Sequence, residues 1–100
     1  MASTQNITYR RSGNKGTLKL SGDVDIYVAT TLHDLARRAL IDAKAQSICI
    51  EMSQVERLDI AALQILCALK RDIGVAGRDF HTAGIGPDLT ANLNRIGINL

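Results

Sequence analysis

The chain has 100 residues, 46% of them hydrophobic and 22% charged, the length and balance of one soluble domain, spanning 1–100, that buries its own core. Twelve Lys and Arg against ten Asp and Glu leave a formal charge of +2, too small to argue for a polyanionic partner. With only Tyr9, Tyr27 and Phe80 aromatic and the basic pairs Arg10-Arg11, Arg37-Arg38 and Lys70-Arg71 scattered among acids, nucleic-acid binding is excluded as an expectation. No stretch reaches the roughly 20 apolar residues that cross a bilayer, and Met1 to Arg11 carries no apolar secretion core. A cytoplasmic protein without membrane insertion is expected, in which Cys49 and Cys67, each within an apolar run, are inert buried thiols.

The first 14 residues are polar with Ile7 and Tyr9 alternating, which predicts an edge strand or a loosely ordered segment, followed by a turn at Gly13-Asn14-Lys15-Gly16. Thr17 to Leu20 alternates as a half-buried strand. From Leu32 the period changes: Leu32, Leu35, Ala36, Ala39, Leu40 and Ala43 form one face of an amphipathic helix, with Thr31 and Asp34 as a capping pair and Asp34–Arg38 as an ion pair. Ser47 to Met52 is β-branched and apolar apart from Glu51, and predicts an interior strand. Ile60 to Ile73 is rich in Ala and Leu and too long for a strand, so it predicts a second helix, capped by Asp59 and ended by Gly74 or Gly77. Arg78 to Ala83 returns to strand character, and Pro87, Asp88, Leu89, Leu93 and Ile96 mark a last helix that Gly97 ends. The order is strand, strand, helix, strand, helix, strand, helix. It predicts an α/β domain whose sheet is largely parallel with the amino-terminal strands added antiparallel. Leu32, Leu35, Leu40, Ile48, Ile50, Leu63, Leu66, Phe80, Leu93 and Ile96 are its expected core.

No constellation of catalytic type stands out. His33 and His81 lack metal spacing with any Cys or carboxylate, and no nucleophile elbow, phosphate loop or dinucleotide fingerprint is present. No cofactor and no metal are expected. The second helix is so apolar on its remaining faces, through Ile60, Ala61, Ile65, Ala68 and Leu69, that it is either sandwiched or meets a partner.

Taken in order, these pieces resemble the STAS domains, the family of sulfate transporters and anti-sigma-factor antagonists. Leu20-Ser-Gly-Asp-Val-Asp25 is similar to the family's early Gly-Glu-x-Asp segment, and Ile48 to Val55 to its central strand and turn, with Glu51 where aspartate is usual. Leu58-Asp59-Ile-Ala-Ala-Leu63 falls on the signature Asp-Ser-Ser/Thr-Gly-Leu, and Ile96-Gly97-Ile98 completes the order.

The resemblance implies a mixed, mostly parallel sheet with helices mainly on one side, no enzymatic activity, and a function exercised by binding a protein. In the antagonists a hydroxyl after the signature aspartate is phosphorylated by a partner kinase, and the added charge ends binding. Here Ile60 stands at that degenerate position, Ala61 at the next hydroxyl and Ala62 at the glycine, so the switch is expected to be lost, with Ser53 the nearest hydroxyl on the same loop. The partner surface implied is Asp59, Ile60, Ala61, Ala62 and Gln64. An adaptor acting on an anti-sigma or kinase-type protein is the first reading. The alternatives are a small STAS subunit on the ATPase of a lipid-transport ABC system, or a small-molecule sensor closing on a nucleotide or anion near Asp59 and Ser53.

Overall fold

The computed structural model describes residues 7–98 and residue 100. Their order is β1 (Ile7–Ser12), β2 (Lys15–Val24), α1 (Ile26–Ile41), β3 (Ser47–Leu58), α2 (Ile60–Val75), β4 (Asp79–Ala83) and α3 (Pro87–Arg95). The strands lie side by side in chain order, β1 antiparallel to β2 and the other two pairs parallel. This is the expected α/β architecture. Helical crossovers leave little other choice for parallel neighbours.

Pairing register decides which side of the sheet is dry. Ile7 stands opposite Leu20, Tyr9 opposite Leu18, Leu18 opposite Ile50 and Ile48 opposite Phe80, so these side chains share one face. Leu18, Leu20, Ile48, Ile50 and Met52 are buried there against Leu32, Ala36, Leu66 and Ile73 of the two long helices. Thr8, Lys19 and Glu51 line the other, wet face together with Arg10, Thr17, Cys49 and His81. Cys49 is half-exposed on that face and Cys67 is half-exposed on α2, which corrects the expectation of buried thiols.

Several elements begin earlier or run further than their patterns imply. Helix α1 starts at Ile26, where Asp25 accepts hydrogen bonds from the amides of Tyr27 at 3.0 Å and Val28 at 3.2 Å. That cap overrides the strand preference of Ile26, Tyr27 and Val28. Thr31 and Asp34 are therefore mid-helix, not a capping pair. The expected Asp34–Arg38 bridge is absent among the ion pairs of the described residues, and Asp34 lies instead 3.9 Å from His33 Nδ1. Ala43 falls beyond the helix end. Strand β3 extends to Leu58 because β2 pairs along its whole length, through register shifts between Lys19 and Ser21 and between Gly22 and Asp23. Ser53 accordingly sits inside a strand, not on a loop.

Of the expected core, Leu32, Ile48, Ile50, Leu63, Leu66 and Leu93 are buried, and Leu35, Leu40 and Phe80 are half-buried against it. Ile96 is the exception, 55% exposed, because α3 ends at Arg95 and its wetter face follows.

Two polar ties hold the end of α1. The Asp42 carboxylate accepts from the Tyr9 hydroxyl at 2.9 Å and from Arg11 Nε at 3.0 Å. Arg78, entering β4, donates to the carbonyls of Leu40 at 2.6 Å, Ala45 at 2.7 Å, Ala39 at 3.0 Å and Asp42 at 3.3 Å. These include carbonyls that a helix end leaves unsatisfied. Gly77, at φ +75°, permits the turn that brings Arg78 into position, its neighbour's amide reaching back to the Ile73 carbonyl at 3.0 Å.

Candidate functional site

The C-terminal ends of β2 and β3 and the start of α2 meet at one end of the molecule. There the Asp59 amide donates to the Val24 carbonyl at 2.9 Å, while its own carbonyl accepts from Leu63 at 2.9 Å to begin α2. Its side chain makes no capping hydrogen bond, which corrects the expected cap. Asp59 positions the helix through its backbone, and it is among the residues that line a cleft of about 650 Å³ between α2 and α3.

The cleft has an apolar wall and an acidic rim. Leu58, Leu63, Leu89 and Leu93 supply the wall, with Ile60 and Ile96 at its mouth. Asp23, Asp25, Glu56, Asp59 and Asp88 supply the rim, against the single guanidinium of Arg57. Half of the chain's ten acids thus gather in one place although the chain is net positive.

Five neighbouring residues of α2 and its entry carry the sequence expectation of a partner surface, and they separate by exposure. Ile60 is 54% exposed, Gln64 is exposed, and Asp59 and Ala61 are half-buried. Ala62 is fully buried, so it offers nothing to a partner and serves the packing of α2 on the sheet. Gln64 and Ala61 line a second, smaller groove of about 280 Å³ between α1 and α2, which also includes Ala36, Ile65 and Ala68. The periodicity of α2 shows both faces, because Ala62, Leu66, Leu69 and Ile73 return to the core every three or four residues while Ile60 and Gln64 do not.

Pattern reading missed the acidic rim. Asp23 and Asp25, Glu56 and Asp59, and Asp88 come from three separate segments, and only the parallel pairing of β2 with β3 and the return of α3 bring them together. Glu51, the one acid in the apolar run of β3, lies elsewhere on the wet sheet face. Ser53 holds its carboxyl below the usual range through hydroxyl and amide hydrogen bonds, the amide donating at 2.8 Å, with Lys19 alongside. Ser53 does not line the cleft, so Asp59 and Ser53 form no joint anion pocket.

No group of three or more His, Cys, Asp or Glu among the described residues is arranged to hold a metal ion. No helix among them is long and apolar enough to cross a membrane.

Comparison with known proteins places this geometry. A search of curated proteins finds no match. Among solved structures, the chain is similar to a serine-to-glutamate variant of RsbS from Moorella thermoacetica, with TM-score 0.79 and 19% identity over 94% of this chain and 80% of that one. An anti-sigma factor antagonist from Mycobacterium paratuberculosis matches with TM-score 0.78 and 22% identity, covering 97% and 83%. The anti-sigma factor antagonist SpoIIAA in its unphosphorylated form matches with TM-score 0.75 and 10% identity, covering 92% and 84%. At such identities the likeness is one of fold. The family model described as Mlab, STAS domain, matches residues 7–100, and with every described residue inside that match, the protein belongs to the STAS domain family.

Proposed function

We propose that this STAS domain is a non-enzymatic binding module of the anti-sigma-factor-antagonist type, one that engages its protein partner through the start of α2 and lacks the phosphorylation switch. The observation that carries the reading is the exposure of Ile60, 54% open to solvent at the first position of α2. A large aliphatic side chain is placed in water where the family resemblance puts a phosphoacceptor hydroxyl. Ile60 cannot take a phosphate, and burying in a complex the half of it that is open to solvent contributes about 0.8–1.5 kcal/mol, roughly a four- to twelvefold gain in affinity. A contact that phosphate would regulate becomes a constant apolar one.

The acidic rim supports a protein partner over a nucleotide, since carboxylates gathered at the cleft repel phosphate. A kinase-type anti-sigma partner and a transporter ATPase both remain compatible with the same surface. Recovery of the partner by affinity pull-down from the native lysate, followed by titration with the wild type and with Ile60→Asp, tests the reading. Ile60→Asp is expected to weaken binding at least tenfold while a thermal melt moves little, because exposed substitutions generally change stability by about 0.5 kcal/mol or less. Unchanged affinity would place the interface elsewhere.

A further inference from the structure

The acid-rimmed cleft extends the surface around Ile60 to α3, and its two kinds of lining make different demands on an occupant. Its wall of Leu58, Leu63, Leu89 and Leu93 calls for apolar side chains, and its rim calls for positive charge. Of the six exposed large hydrophobic residues among those described, four belong to this end. Ile60 and Ile96 line the mouth, and Ile26 and Tyr27 directly follow Asp25 of the rim, with Tyr27 88% exposed. Apolar residues left in water beside a cavity mark an interaction surface. Anionic ligands meet five carboxylates there, and a small cation has no use for the leucine wall.

We propose that the cleft between α2 and α3 is a docking site for a basic amphipathic helix of the partner protein, its apolar side chains entering the cleft and its Lys or Arg residues meeting the rim. This rests on the reading of the α2 end as the partner surface and adds the chemistry of what binds there. Asp25 already receives the first amides of α1. Glu56 and Asp88 are exposed and are the rim groups best placed to meet an incoming cation. Complementary charge of this kind sets register and speeds encounter, and it makes binding sensitive to salt.

The test titrates the isotope-labelled full chain with two synthetic helical peptides of equal length, one built from Leu and Lys and the other from Leu and Glu. The Leu/Lys peptide is expected to bind saturably, to shift the methyl resonances of Leu89, Leu93 and Ile96, and to weaken as salt rises. The Leu/Glu peptide should bind at least tenfold more weakly. Glu56→Lys with Asp88→Lys should reduce Leu/Lys peptide affinity at least tenfold, and Glu56→Lys alone, which leaves α3 untouched, should reduce it severalfold with an unchanged melt. Equal binding of both peptides, shifts centred on Ile65 and Ala68 of the α1–α2 groove, displacement by spermine alone, or indifference to both variants would overturn the proposal. Titration of the recovered partner separates this proposal from the reading beneath it. Loss of affinity in Ile60→Asp but not in the Glu56/Asp88 variant sinks the cleft and keeps the α2 surface, whereas the opposite result keeps the cleft and removes Ile60.

Discussion

Arg78 fills a role that no neighbour in sequence can take, since its guanidinium satisfies four carbonyl oxygens at and after the end of α1. Hydrogen bonds from a charged donor contribute more than neutral ones. Arg78→Met should therefore lower the free energy of unfolding by about 2–3 kcal/mol in a urea titration. Arg78→Lys should recover less than half of that, because an ammonium cannot span the fork of acceptors.

Tyr9 and Asp42 make the stability depend on pH at both extremes. Burial and the hydrogen bond to Asp42 push the Tyr9 phenol from 10.0 up to about 12. A raised folded-state value means that this stabilisation is complete below pH 10 and is lost as pH rises from 10 through 12. Partial burial pushes the Asp42 carboxyl up, but the Tyr9 hydroxyl, the Lys44 amide and Arg11 outweigh it, and the net shift is below the usual 3.8. That contribution is present above about pH 4 and is lost as pH falls through the depressed value. Thermal melts across pH should show a plateau with a fall on either side. Tyr9→Phe should flatten the alkaline limb. Persistence of the full wild-type fall above pH 10 in Tyr9→Phe would assign it to other groups.

At the level of elements, helix α2 divides its surface between the buried core face and the exposed end at Ile60 proposed to meet the partner, and substitutions should divide likewise. Leu66, fully buried, should cost about 2–5 kcal/mol on change to Ala in urea melts, whereas Ile60→Asp should act on binding. The strand pair β3–β4 has its own constraint just past Ala83. Gly84 has φ +77°, and a Cβ there would stand 2.6 Å from the Ser53 backbone nitrogen. Gly84→Ala combines left-handed strain with a backbone clash, so it should cost more than about 2 kcal/mol in the same assay. The half-exposed Cys49 and Cys67 should both label in the native state, more slowly than in denaturant; complete native protection would bury them after all.

Element type and order were readable because α1, α2 and α3 carry helical periods and β3 carries β-branched alternation. Boundaries were less so. The start of α1 is set by the Asp25 side chain against the local preference of Ile26-Tyr27-Val28, and the length of β3 is set by its pairing with β2. The same holds at the site. Ile60 and Gln64 stand out in one helix, but the acidic rim is assembled from segments up to 65 positions apart, from Asp23 to Asp88, and tertiary pairing alone creates it.

Taken whole, the molecule is polarised. Five acids and one base line the cleft, which leaves eleven bases and five acids for the remainder of the chain. If the proposed basic partner docks at the cleft, the field of the acidic end should draw it in and orient it before contact, while the rest of the molecule repels it. Association should slow markedly in stopped-flow mixing as salt rises, with a smaller change in dissociation. Equal sensitivity of both rates would argue against steering.

The tie between Arg78 and the end of α1 also bears on the order in which the chain becomes a protein. Its acceptors lie 33 to 39 positions upstream, so on a ribosome the carbonyls of Ala39 to Ala45 wait through the whole synthesis of β3 and α2 before their donor exists. A nascent chain halted before Arg78 holds both long helices but neither the closing strand nor this cap. Completion of the native state should therefore come as a late, abrupt event once residue 78 clears the exit tunnel, visible as a jump in protease resistance between chains stalled just short of it and chains extended through β4.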